Sequence, residues 1–378
     1  MLKRLLCLDQ FGQPGGGQAI LGDLVRGALA DGIEVHVALP AGSFAANLGM
    51  AGAGVHDLKV PSMHGHRKTA VDAAQLALGV RSLSGDIRRI IADVRPDLMH
   101  VNGGRVLLPA ALSRPVCPLT FHAHTAYVDR PTLLATRWAL KRARCRAVIA
   151  PSPFMRKWIH ERLGVPPANA KLVWNWVGDG FFAAGEGRVS RPPAESGALR
   201  VVVVGRIAPV KGQDVVIAAF RALPAEVRGR WELEISGPVD EETGGLAYLA
   251  ALEQQSAGEP GTLLRPGRVD ALEVIASADL CVVPSLFEET FGLVAAEAMA
   301  AGVPVVVSDC GALPDVVGGA GEVVLAGDVA DLTEVLAALL PDAGRRGALA
   351  ELGHRRAQVQ FRRDRQVAEL LGVLDAVV

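Results

Sequence analysis

Two acids eight positions apart, Glu289 and Glu297, bracket a Phe291-Gly292 pair in the run EETFGLVAAEAMAAGVPVVVSD. If the whole run were helical, they would stand roughly 12 Å apart along the axis. The Phe-Gly pair instead predicts a loop that enters a helix near Gly292. Glu289 then sits just before the helix, and Glu297 about a turn inside it. The unpaired N–H groups from Gly292 through Leu293 to Val294 form an anion site. A carboxylate beside such a site can accept hydrogen bonds from two neighbouring hydroxyls. The same spacing also fits a surface acid at Glu297 and an acid at Glu289 favoured by the helix dipole.

Two cations add to this. In VVVVGRIAPVKG an apolar strand ends at Gly205, and Arg206 and Lys211 lie on the loop that follows. A guanidinium grips two oxygens at once, and an ammonium adds a point charge, so the pair suits a diphosphate. In the first half, PGGGQ places Gly16 and Gly17 between a strand and a helix. Glycines there let backbone N–H groups approach an anion closely. The run is neither G-x-G-x-x-G nor a P-loop. TFHAH offers His122 as a chemical group, with His124 as its competitor.

The elements that must position these residues alternate. LLCLD, IEVHVALP, LMHVNG, VCPLTFHAH and AVIAPS read as strands, with helical patterns between the first of them. The alternation restarts with LRVVVVGRI, WELEISGP, DLCVVPS, GVPVVVSD and GEVVL. This predicts two α/β domains, each a doubly wound parallel sheet covered on both faces. Ligands in such sheets bind beyond the carboxyl ends of the strands. The Gly-, Pro- and Ser-rich segment 184–197 reads as a linker between domains at 1–183 and 198–360. Residues 361–378 read as an amphipathic helix returning toward the first domain.

Half of the 378 residues are apolar, as in a globular protein. The five cysteines form no C-x-x-C pair, which suits a reducing compartment. MLKRLLCLDQFG is too short in apolar residues for a signal-peptide core, and no 18-residue apolar run occurs. A cytoplasmic protein is expected. Residues 1–188 hold 23 Lys+Arg against 13 Asp+Glu, whereas residues 189–378 hold 16 against 27. Opposite halves suggest two domains that face different partners, or chance segregation on solvated surfaces.

The run PSLFEETFGLVAAEAMAAGVPVVVSDCGALPDVV resembles the donor-binding signature of glycosyltransferase family 4, and GRIAPVKG resembles its G-R-x-x-x-x-K-G element. PGGGQ, TFHAH, APSPFMRKWI and WNWVGDGFF fall where the family's N-terminal motifs fall. The resemblance implies the GT-B fold, two Rossmann-like domains facing a central cleft, and a retaining, metal-independent transferase with no cofactor. It implies that Arg206, Lys211, Gly16, Gly17, Gly292 and Leu293 hold the diphosphate of a nucleotide sugar. Glu297 takes the ribose, and Arg268 and Val269 the base. Glu289 and His122 take the transferred sugar at the reacting centre. Trp176, Gly178, Ala312 and Asp315 depart from the family pattern.

The leaving group is then a nucleoside diphosphate, UDP in preference to GDP. The absence of a D-x-D sequence agrees with cations and a helix start taking its charge. The acceptor is a glycan or lipid-linked molecule: a glycolipid, lipopolysaccharide or exopolysaccharide. The segment 130–146 carries Arg130, Arg137, Lys141, Arg142, Arg144 and Arg146 interleaved with Leu133, Leu134, Trp138 and Leu140. It reads either as a peripheral contact with anionic lipid at the inner membrane face or as a helix packed on one side and solvated on the other. No nucleic-acid partner is expected. An epimerase of similar fold and a non-catalytic nucleotide-sugar-binding module would use the same donor residues.

Overall fold

A computed structural model describes residues 1–60, 70–189, 199–241, 244–257 and 261–378. The chain forms two compact units, 1–174 with 364–378, and 175–363. In the first, β1 (Arg4–Leu8), β2 (Glu34–Leu39), β3 (Gly54–Asp57), β4 (Leu98–Val101), β5 (Leu119–His122), β6 (Ala147–Ala150) and β7 (Ala170–Leu172) make one sheet in the order β3-β2-β1-β4-β5-β6-β7. In the second, β8 (Leu199–Val204), β9 (Trp231–Gly237), β10 (Thr262–Pro266), β11 (Leu280–Val283), β12 (Val305–Ser308) and β13 (Glu322–Val324) make the order β10-β9-β8-β11-β12-β13.

Neighbouring strands pair in parallel in both sheets. Helices between the strands account for this, because a parallel partner needs a crossover. Central strands such as β4, β5, β6, β11 and β12 are buried along their whole length. They therefore read as continuous apolar runs. Each sheet has its own core, with Phe121 and Trp158 in the first and Phe220 and Trp231 in the second. In each sheet the winding direction reverses beside the first strand, between β1 and β4 and between β8 and β11. These are the switch points at which side chains beyond the strand ends can converge on a ligand.

Three strands carry no signal in the sequence patterns above: β3, β7 and β10. All three lie at sheet edges, and none is an unbroken apolar run. The expected linker also differs. Residues 184–189 are the end of a helix, Asp179–Val189, and 190–197 lie outside the described residues. One of the glycines that suggested a linker has a packing role. A Cβ on Gly185 would lie 2.2 Å from the Ala300 carbonyl oxygen, so only glycine lets this helix meet Leu293–Ala300 so closely. The last helix, Arg363–Asp375, belongs almost wholly to the first unit, where Val367 and Leu371 lie against Gly27.

Candidate functional site

At the switch point of the second sheet, β8 and β11 diverge and leave a cavity of about 150 Å³. Gly205, Lys211, Gln213, Ser285, Glu289, Gly292 and Leu293 line it, with the ends of both strands. The helix Leu293–Ala300 starts at its wall, with Gly292 as N-cap at φ +93° and no side chain capping the first N–H groups. The positive φ favours glycine, and a Cβ there would also displace Leu313 Cδ2, 2.4 Å away. The loop-to-helix transition expected at Gly292 is therefore present, and Gly292, Leu293 and Val294 at the uncapped helix start line the cavity.

Lys211 ends a single 3₁₀ turn, Pro209–Lys211, after β8. Its ammonium donates to Glu289 Oε1 at 2.6 Å, and Ser285 Oγ donates to the same oxygen at 2.7 Å. Lys211 also stands over the Phe287 ring at 4.8 Å. The cation and the carboxylate thus hold each other at the cavity wall. Arg206 is more exposed and pairs with Asp240, a nearly buried acid beyond the end of β9. It is not among the residues lining the cavity. Gln213 Nε2 donates to the Arg206 carbonyl at 2.8 Å and braces that loop. Arg268 is exposed and Val269 half-buried on the loop between β10 and the helix Ala271–Ala276.

Glu297 is half-buried inside the helix, and burial pushes its carboxyl up to about 8. That has a consequence for nucleotide binding. If its anion receives ribose hydroxyls, binding releases a proton at any pH below 8. Affinity for a nucleoside diphosphate should then fall about tenfold for each pH unit lowered below 8. Calorimetric titration at pH 8.5 and 7.0 measures this. Glu297→Gln should flatten the dependence, and a pH-independent dissociation constant in the parent protein would remove Glu297 from the ribose.

In the first unit, Gly15 caps the helix Gly16–Ala30 in extended conformation with no side-chain cap, so its first N–H groups are open. The two histidines of TFHAH stack on each other, and they differ in what else they touch. His122 ends β5, is 1% exposed, and neither ring nitrogen has a partner. Its ring lies edge-on to His100 at 5.9 Å and stacked on His124 at 4.0 Å. It is His124 that reaches the glycine loop, since a Cβ on Gly17 would lie 3.6 Å from its ring.

Burial pushes His100 down to about 3, His124 to about 4, and His122 well below the usual histidine range. All three are therefore neutral at pH 7. His124 Nε2 lies 2.9 Å from Asn102 Oδ1, and Asn102 Nδ2 donates to Asp9 Oδ2 at 2.5 Å. Asp9, Gln18, Asn102, Gln213, Asp240 and Ser285 are absent from the sequence-derived set. Asp9, Asn102, Asp240 and Ser285 share one available signal: a polar residue just past the carboxyl end of an apolar strand.

The helix Arg130–Arg142 buries Thr136, Ala139 and Leu140. It leaves Leu134 and Trp138 62% and 48% exposed, one helical turn apart. Arg130, Arg137, Lys141 and Arg142 are exposed on the same helix, and Arg144 and Arg146 follow it. No helix among the described residues is long and apolar enough to cross a membrane.

Residues 14–179 match the family model described as Glycosyltransferase Family 4, and residues 198–342 match that described as Glycosyl transferases group 1. The D-inositol 3-phosphate glycosyltransferase of Xylanimonas cellulosilytica is 37% identical over 177 residues, 46% of this chain and 41% of that protein. Sulfoquinovosyl transferase SQD2 of Arabidopsis thaliana is 30% identical over 285 residues, 69% of this chain and 53% of that protein. The chain thus spans about half the length or less of these two relatives. Anabaena Alr3699/HepE, solved in complex with UDP and glucose, shares the fold. It has a TM-score of 0.79 at 21% identity and covers 99% of this chain and 100% of that one.

Proposed function

Because the chain belongs to glycosyltransferase family 4, we propose that it moves a hexose-type sugar, with retention, from a nucleoside-diphosphate sugar to a glycolipid, lipopolysaccharide or exopolysaccharide acceptor. The observation that carries this reading is the second unit's cavity, where Lys211, Glu289 and the helix start at Gly292 converge beyond β8 and β11. A cation and open N–H groups suit a diphosphate, and a carboxylate beside them suits sugar hydroxyls. Arg206, held by Asp240, adds a second cation. Glu297 takes the ribose, and Arg268 and Val269 take the base. UDP is preferred because the Anabaena protein of this fold was solved with UDP and glucose.

In the proposed reaction the bond from the anomeric carbon to the diphosphate breaks first. Lys211, Arg206 and the helix dipole take up the charge that develops on the leaving oxygens. The acceptor hydroxyl attacks from the same face, and its proton passes to the departing phosphate. No metal is needed if these groups supply the positive charge. Gly16 and Gly17 are the first unit's proposed contribution to holding the diphosphate, and His122, with His124 as its competitor, is its proposed contribution at the transferred sugar. The basic face around Leu134 and Trp138 supports a peripheral contact with anionic lipid, an arrangement suited to a lipid-linked acceptor.

A transfer assay with labelled UDP-sugars tests the reading. Product should form with the donor's anomeric configuration, read by proton NMR, at a rate that EDTA leaves unchanged. Inversion would overturn retention, and activity lost to EDTA and restored by magnesium would overturn metal independence. A donor sugar epimerised without transfer would favour the epimerase.

A further inference from the structure

The cavity of the second unit holds the Glu289 carboxylate by two groups, and only one of them is a cation. Ser285 follows β11 by two residues and is 1% exposed. Its Oγ donates to Glu289 Oε1 at 2.7 Å, and the Lys211 ammonium donates to the same oxygen at 2.6 Å. Ser285 is itself fixed from two sides. Ser308, the last residue of β12 and 1% exposed, donates from Oγ to the Ser285 carbonyl at 2.6 Å. The next N–H, of Leu286, donates to the Val210 carbonyl at 2.8 Å, within the 3₁₀ turn that ends in Lys211.

The main chain at Glu289 is fixed as well. The Ala312 N–H donates to the Glu289 carbonyl at 2.8 Å. A Cβ on Gly311 would lie 2.4 Å from the Glu289 nitrogen and carbonyl oxygen, so glycine at φ +61° lets the loop after β12 come this close. That loop sets where the Glu289 main chain lies, and Ser285 and Lys211 set where its carboxylate points. Lys211 loses the second task once a diphosphate competes for its ammonium. The Ser285 hydroxyl is uncharged and its single proton is already engaged by the carboxylate, so it remains when the ammonium is drawn away.

We propose that Ser285 is a positioning residue that keeps Glu289 Oε1 in place after a diphosphate has drawn Lys211 away, so that Oε2 accepts from a hydroxyl of the transferred sugar. This rests on the transferase reading above. Among the described residues, both donors meet Oε1 and not Oε2. Recognition of the sugar then depends on a neutral side chain, and recognition of the diphosphate on the cation beside it. The two can vary separately, although both act on one carboxylate in one cavity.

The test measures dissociation constants by calorimetry for UDP, UDP-glucose, UDP-galactose and UDP-N-acetylglucosamine. It uses the full parent chain, Ser285→Ala, Glu289→Gln and the double variant. In Ser285→Ala the tightest UDP-sugar should weaken about tenfold, as expected for a lost hydrogen bond to a charged group, while UDP stays within about threefold of the parent. In Glu289→Gln the sugar contact is already impaired. Adding Ser285→Ala should then weaken the UDP-sugar less than about twofold further, because Ser285 acts through Glu289. A serine with only a structural role would weaken UDP and UDP-sugars alike and would add its full effect in the double variant. A parent-like ratio of UDP to UDP-sugar affinity in Ser285→Ala, or effects that add in the double variant, would overturn the proposal. A parent chain that binds neither UDP nor any of the three UDP-sugars would instead overturn the donor reading on which it rests, so the two failures are distinguishable.

Discussion

With Lys211 replaced by alanine, transfer from a nucleotide sugar should slow by roughly 10²- to 10³-fold, the usual effect of removing one preorganised donor to a developing oxyanion. Lys211 is the proposed cation that lines the cavity itself, whereas Arg206 is more than half exposed and bound to Asp240. Charge–charge interactions are screened at exposed sites and persist in enclosed ones, so Lys211 should outweigh Arg206. Without a ligand the ammonium is held by Glu289 at 2.6 Å. A diphosphate competes for it, and each oxygen that wins frees Glu289 for a sugar hydroxyl. Removing Lys211 therefore affects two steps, and the loss should appear in kcat as well as in donor KM. Steady-state kinetics of Lys211→Ala and Lys211→Arg measure this. A kcat within threefold of the parent for Lys211→Ala would exclude the ammonium from the leaving-group site.

The histidine row predicts acid lability of the first unit. His100, His122 and His124 stay neutral in the folded chain, and burial is the largest cause in each. In the unfolded chain each takes a proton near pH 6.5. Below that pH the unfolded state binds more protons, so stability present above 6.5 is lost as pH falls toward about 4. Each group contributes about 1.4 kcal/mol per pH unit, and the three together about 4 kcal/mol per unit. Glu297 acts in the opposite sense, because its raised carboxyl favours the folded state as pH falls below 8, but it lies in the second unit. Acid unfolding should therefore begin in the first unit. Urea unfolding at pH 7.5, 6.0 and 5.0, with hydrogen exchange to locate the change, measures it. His122→Leu removes a ring with no hydrogen bonds and should reduce the slope by about a third. Equal stability of the parent protein at pH 7.5 and 5.0 would contradict this account.

Much of the fold can be read from the chain because buried parallel strands are continuous apolar runs, and β8, β11 and β12 are clear examples. Edge strands lack that signal. β10, with the sequence TLLRP and half-exposed or exposed along its length, looks like loop. The helix Asp179–Val189 was hidden because close packing at Gly185 requires the residue that elsewhere marks flexibility. At the site, the E-x₇-E spacing located Glu289, Gly292 and the start of the helix correctly, because a positive-φ glycine and a loop acid are local features. Partners distant in sequence were not legible. Asp240 meets Arg206 across 34 positions, and Asn102 meets Asp9 across 93, because the topology brings those strand ends together. Whether His122 or His124 reaches the loop depended on where β5 ends, which the five-residue motif leaves open.

The most direct test of the central claim is thermal stabilisation of the purified chain by UDP, GDP, ADP and dTDP, alone and with their sugars, in the parent protein and in Lys211→Ala. At a hundred times its dissociation constant, a ligand that binds only the folded chain adds about 2.7 kcal/mol. The account predicts the largest rise in melting temperature with UDP or a UDP-sugar, and loss of that rise in Lys211→Ala. No rise with any nucleoside diphosphate, or a rise unchanged by Lys211→Ala, would contradict it.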